Sequence, residues 1–173
     1  MKLEISTPQR PTHDTSHDRL SVLRDAHRTL IALADGAGSA AAAQAAAARA
    51  VNELARCFRS GVLPDNPRDW EMVLEGIDHI VLGDPAAGET NALVMLVQQG
   101  LVMGASVGDS LAYMVPPAGD AQLLTPRPRK GPRIGTGMAR PIGFGPVQLE
   151  GRLITRRTGR DDSGDSPFAT AAA

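Results

Sequence analysis

Two aspartates stand where runs of apolar residues give out: Asp35, in "RTLIALADGAGS", and Asp109, in "LVMGASVGDS". Neither has a Lys or Arg at a spacing that would obviously pair it. Carboxylates carried at strand ends can converge on one divalent cation, and Gly36 would let a backbone carbonyl come close enough to add a third oxygen. Oxygen-only donors select Mg²⁺ or Mn²⁺ over zinc. The same residues are also ordinary turn formers, with Asp35-Gly36 a simple turn and Asp109-Ser110 the cap of a hairpin, and spacing alone leaves both readings open.

The elements that must position these residues can be read from periodicity. The run from Arg28 predicts a buried strand ending in a turn at Asp35-Gly36. Ser39 suits an N-cap, and "AAAAQAAAARAVNELARCF" repeats the strongest helix former with Val51, Leu54, Ala55 and Phe58 at helical spacing, which predicts a helix from about Ala40 to Arg59. Trp70, Val73, Leu74 and Ile77 predict a second, shorter helix running to about Leu82. Next, "NALVMLV", "LVMGASV" and "LAYMV" are joined by links of three residues, "QQG" and "GDS", which predicts an antiparallel meander with Asp109 at one of its turns. The segment from Pro126 to Pro146, rich in proline, glycine and basic residues, reads as an irregular surface loop. A strand pattern resumes at "VQLEGRLI" and is lost after Ile154.

Composition bounds the function classes. At 173 residues, with 42% apolar and 21% charged residues, the chain fits one soluble domain and one site rather than a modular enzyme. A net charge of -1 and a pI near 6.4 leave no basic footprint for nucleic acid. No apolar stretch has the length of a membrane span or a signal h-region, so no membrane partner and a cytoplasmic location are expected. With five aromatic residues, the core must be filled mainly by Leu, Val, Ile, Met and Ala. The single Cys57 excludes an intramolecular disulfide and reads as a small buried hydrophobe at the end of the helical pattern.

Taken in order, "SHDRLSVL", "IALADGAGS" opening an Ala-rich helix, and "GETNALVMLVQQGLVMGASVGDSLAYMV" resemble the metal-dependent PPM/PP2C-type serine/threonine protein phosphatases over about residues 15–155. The resemblance implies an α+β fold, an αββα sandwich of two antiparallel sheets flanked by helices, here incomplete at the C-terminus. It implies two Mn²⁺ or Mg²⁺ ions in the cleft between the sheet edges, a third in some members, and hydrolysis of phosphoserine or phosphothreonine in a phosphorylated protein substrate by a metal-activated water. Carried over by position, Asp35 is the bridging metal ligand, Gly36 the carbonyl ligand, Asp18 an acid that ligates directly or through water, and Asp109 the ligand of a third metal. Asp35 and Asp109 are thus the expected catalytic residues. Departures are visible: His17 stands where a carboxylate or amide often precedes the Asp, Asn91 where a Thr is frequent, and Arg10 is the nearest candidate for the phosphate-binding arginine.

The C-terminal stretch "TRRTGRDDSGDSPFATAAA" departs further. In the family, the strand resembling "LEGRLI" continues into an Ala/Ser-Thr/Ser-Asp-Gly motif whose Asp binds metal, and another metal-binding Asp follows a later helical region. Neither is recognisable here. Asp161, Asp162 and Asp165 lie in a Ser/Gly/Pro-rich run that reads as a solvated tail. With GC-rich codons for Thr155 to Gly159, reading from the last base of the Thr155 codon spells Ala-Thr-Asp-Gly, so the sequence is expected to leave its ancestral frame after Ile154. The organisation that follows is a flexible segment over residues 1–14, a partial phosphatase domain over 15–155 and a disordered tail over 156–173. Lacking two late carboxylates, the site is expected to hold at least one metal poorly, which puts turnover in question.

Two other classes remain open. A pseudophosphatase would use the same cleft to bind a phosphoprotein or partner without hydrolysis. A nucleotide binder would use "RKGPRIGTG" as a phosphate-cradling loop, but that needs a strand before it and a helix after it, and prolines flank it instead. In the phosphatase reading, Arg127, Arg129, Lys130 and Arg133 are either a solvated loop or an attraction for a phosphorylated substrate.

Overall fold

The computed structural model describes residues 4–6, 17–126, 131–156 and 169–172. In chain order the elements are β1 (Glu4–Ser6), β2 (Asp18–Arg24), β3 (Arg28–Ala37), α1 (Ala40–Ser60), α2 (Pro67–Leu82), β4 (Glu89–Gln98), β5 (Leu101–Val107), β6 (Leu111–Val115), β7 (Gln122–Leu123), β8 (Ile142–Gln148), β9 (Arg152–Arg156) and β10 (Ala169–Ala172). They form two antiparallel sheets, one ordered β1-β10-β9-β6-β7 and the other β2-β3-β4-β5-β8.

Both helices start and stop for local reasons. Ser39 is the N-cap residue of α1 by backbone geometry, although its hydroxyl makes no capping bond, and Gly61 ends the helix in the left-handed conformation. α2 begins earlier than its apolar periodicity suggests, because the Asn66 side chain accepts from the Asp69 N–H and Pro67 occupies the first turn. The buried alanines of α1 (Ala43, Ala46, Ala47, Ala50) allow close approach to the sheet. At Gly36 a Cβ would overlap the carbonyl oxygen of Ala43, so glycine is required where α1 crosses β3.

Strand alternation divides the core into two layers. Leu30, Ala32 and Ala34 of β3 and Ala92, Val94 and Leu96 of β4 pack with Leu54, Trp70 and Leu74 of the helices. Ile31 and Leu33, with Leu93, Met95 and Val97, point the other way and meet Ala112, Met114 and Leu153 of the second sheet. Among the described residues, both helices lie on the β2–β8 sheet.

Several sequence expectations are corrected here. β4 and β5 form the predicted hairpin, but β6 does not extend it: β8 takes the place beside β5, and β6 pairs with β7 and β9 in the opposite sheet. The three-residue link accomplishes this because Gly108, at φ 90°, turns the chain out of the sheet plane. Asp35-Gly36 is not a turn, since β3 continues to Ala37 in register with β4. "VQLEGRLI" is not one strand, since Gly151, at φ 98°, separates β8 from β9 in the other sheet. Residues 4–6 and 169–172 pair with each other, and β10 also pairs with β9.

Candidate metal and phosphate site

Register brings the predicted residues into one row. Asp18 lies opposite Asp35 across β2 and β3, and Asp35 lies opposite Asn91 across β3 and β4. Cross-strand partners share a face, and Asp35 shares its face with Ile31 and Leu33, so the row caps one end of the core between the sheets. The row is therefore built by pairing; no helix contributes to it.

Hydrogen-bond directions refine the geometry. The Thr90 N–H donates to the Ile134 carbonyl and the Ile134 N–H returns to Thr90, each at 3.0 Å, so the polar backbone groups of Thr90 face away from β3. The Gly36 N–H instead donates to the His17 carbonyl at 3.3 Å, and antiparallel alternation puts the Gly36 carbonyl on that same side, toward the start of β2. Asp35 in turn directs its backbone toward β4, which makes Asp18 and Asp35 a non-hydrogen-bonded pair, the kind in which facing side chains stand closest. Two carboxylates held in that way stand close enough to share one cation.

Asp109 joins through Asn91. The buried Asn91 side chain donates from Nδ2 to Asp109 Oδ1 at 2.7 Å and accepts at Oδ1 from Arg133 Nε at 3.2 Å. Only one orientation of the amide suits both partners, so the two charged groups hold it from opposite sides. A Cβ at Gly108 would overlap Asn91 Oδ1, so the turn that carries Asp109 packs directly on this amide.

The donor set decides what could bind. Two facing carboxylates and a carbonyl directed to their side are hard oxygen donors that fit one Mg²⁺ or Mn²⁺. Among the described residues no three His, Cys, Asp or Glu side chains converge as a metal-binding group, so a complete dinuclear set is not assembled there. His17 adds a buried Nδ1 with no hydrogen-bond partner among the described residues, one position before Asp18. Arg10, Arg127, Arg129, Lys130, Asp161, Asp162 and Asp165 lie outside the described residues.

Sequence reasoning missed Asp78 and singled out Asn91 only as a departure. Asp78 is 2% exposed on α2, in the apolar stripe of Leu74, Ile77 and Val81. Its carboxylate accepts from the backbone N–H groups of Gly135 (2.6 Å), Gly137 (3.0 Å) and Ala139 (2.9 Å). An acid inside an apolar helical stripe was the signal available. The Pro126–Pro146 segment is accordingly not a plain surface loop: Ile134 is fully buried and bridged to Thr90, and the residues after it are tied to Asp78.

The comparisons agree with this architecture. A family model for protein phosphatase 2C matches residues 10–132. No curated protein matches the chain significantly. Among solved structures, an arginine variant of a bacterial serine phosphatase superposes with a TM-score of 0.74 at 16% identity, covering 100% of this chain and 98% of that one. The serine/threonine phosphatase Stp1 from Staphylococcus aureus gives 0.73 at 15%, covering 99% and 94%. RsbX in complex with magnesium gives 0.67 at 18%, covering 94% and 76%. With the family match spanning most of the chain and the two-sheet fold shared, this protein belongs to the protein phosphatase 2C family of phosphatases.

Proposed function

We propose that the chain is a metal-dependent protein phosphatase that hydrolyses phosphoserine or phosphothreonine at the end of the inter-sheet core, with low turnover. The observation that carries this reading is the Asp18–Asp35 pair facing across β2 and β3, with the Gly36 carbonyl on its side and Asp109 tied in through Asn91. Asp18, Asp35 and the Gly36 carbonyl would hold one Mg²⁺ or Mn²⁺. When bound, such an ion supplies charge neutralisation for phosphoryl oxygens and lowers the pKa of water toward neutrality. The chain's own residues do the positioning. Asn91 keeps Asp109 beside the row, the crossing of α1 over Gly36 fixes the backbone next to Asp35, and the inter-sheet core keeps water from the apolar side. Low turnover follows from the family's two late aspartates having no recognisable counterpart, which removes negative charge that a second ion needs. The segment after Ile154 we read as out-of-frame coding, a reading that fails if the gene's codons there do not spell Ala-Thr-Asp-Gly in the neighbouring frame.

A second reading, binding of a phosphoprotein without hydrolysis, is favoured by the lack of a converging three-residue group among the described residues. The two are separated by titrating Mn²⁺ into the chain and then assaying a phosphothreonine peptide. The phosphatase reading expects Mn²⁺ uptake and slow phosphate release, both lost in Asp35→Asn, whose metal affinity should fall by more than about 100-fold as a direct ligand is removed. Peptide binding without phosphate release in the wild-type chain would select the second reading.

A further inference from the structure

The stretch "GPRIGTG", residues 131–137, is built more firmly than a solvated connection would be. Where β5 stops, Ile134 takes the position beside Thr90 and pairs with it through both backbone groups. The residues that follow are tied to the buried Asp78 carboxylate through three N–H groups, and the Thr136 hydroxyl donates to the Arg133 carbonyl at 2.7 Å. Arg133 is thus held from its own backbone outward. Its Nε donates to Asn91, and its Nη1 lies 3.5 Å from Glu89 Oε2, with both side chains about half exposed.

Resting on the phosphatase reading above, we infer that Arg133, among the described residues, binds the phosphoryl group of the substrate. Through Asn91 a guanidinium stands beside the row, and it offers five N–H donors in a planar fork that suits two phosphoryl oxygens at once. The bond to Asn91 uses Nε and sets the plane of the fork. The contact with Glu89 is long and solvent-exposed, so an incoming phosphate displaces it at little cost. Asn91 is shared by Arg133 and Asp109, so the anion-binding group and the acidic site are positioned by one amide. Asp78 acts through the loop as a positioning residue.

The test uses the full chain with inorganic phosphate as the probe, followed calorimetrically in Mg²⁺ buffer, after a separate Mg²⁺ titration. Arg133→Ala is expected to weaken phosphate binding at least about tenfold, with Mg²⁺ affinity and melting temperature unchanged; Arg133→Lys should recover part of the loss, because it restores the charge without the fork. Glu89→Gln should tighten phosphate binding by removing the competing carboxylate. In turnover of a phosphothreonine peptide, Arg133→Ala should raise KM more than it lowers kcat. Equal phosphate binding by wild type and Arg133→Ala overturns the inference and leaves the metal reading intact. Loss of phosphate binding in Arg133→Ala, in a chain whose wild type takes up no Mg²⁺, supports the inference and overturns the metal reading. A wild-type chain that binds no phosphate overturns the inference whether or not it binds Mg²⁺.

Discussion

Gly36 carries two constraints in one residue. In the proposed site its carbonyl would be a metal ligand, and its missing side chain is the space that the Ala43 carbonyl of α1 occupies. Gly36→Ala should therefore act on fold and site together. We expect a loss of about 1–3 kcal/mol from overpacking against backbone that has no rotamer through which to yield, together with weaker Mn²⁺ binding. Denaturant unfolding and a metal titration of the same variant check both, and an unchanged unfolding midpoint would show that α1 can shift away. Asp35 and Gly36 were readable from sequence as a unit because both readings of the dipeptide, turn or ligand, need glycine. That β3 runs on through them was not readable, since it is pairing with Asn91 and Thr90 that holds those positions extended. His17, Asp18 and Asn91 were likewise visible as residues, whereas their adjacency is a matter of register.

The element whose role changes most between sequence and structure is the segment from Gly131 onward. Read alone it has the composition of a loop, and proline and glycine do interrupt it. What orders it lies 57 residues away, counting from Asp78 to the first N–H it accepts, that of Gly135. Hydrogen bonds to a charged acceptor contribute roughly 1.5–3 kcal/mol each when the acceptor is well placed, and three converge here. Asp78→Ala would leave the N–H groups of Gly135, Gly137 and Ala139 without their acceptor, and we expect destabilisation of about 3 kcal/mol, with faster amide exchange at those three positions than in α1. Uniform exchange behaviour in wild type and variant would show that the Thr90–Ile134 bridge suffices to hold the segment. The β5–β6 link makes a similar point: short connections made a meander the natural expectation, and one glycine at positive φ was enough to send β6 into the other sheet.

At the scale of the whole molecule, the β2–β8 sheet is shared by two cores, and the site sits at the end of only one of them. Leu54 fills the layer between helix and sheet, and Leu93 the layer between the sheets, two residues from Asn91 along β4; both are fully buried. Truncating either to alanine should cost about 2–5 kcal/mol. Their effects on function should differ: Leu93→Ala opens a void behind the Asp35–Asn91 row and should weaken Mn²⁺ and phosphate binding under conditions where the chain is still folded, while Leu54→Ala should leave both close to wild type. Binding isotherms at a temperature well below both melting transitions decide this, and equal losses would mean that the two cores do not behave independently.

The amino-acid sequence by itself determined the two helices and the apolar strands, and it supplied the residue types of the proposed oxygen-rich cation site, because helical and strand periodicities are local and because Asp-Gly and Gly-Asp-Ser stretches limit what the backbone can do. It also determined the family, through the order of those stretches. The tertiary structure alone decided which strands share a sheet, that Asp18, Asp35 and Asn91 line up across three of them, and that Asp78 and Arg133, far apart along the chain, serve one segment beside that row. Cross-strand register and the direction of backbone hydrogen bonds depend on partners distant in sequence, so no window along the chain contains them.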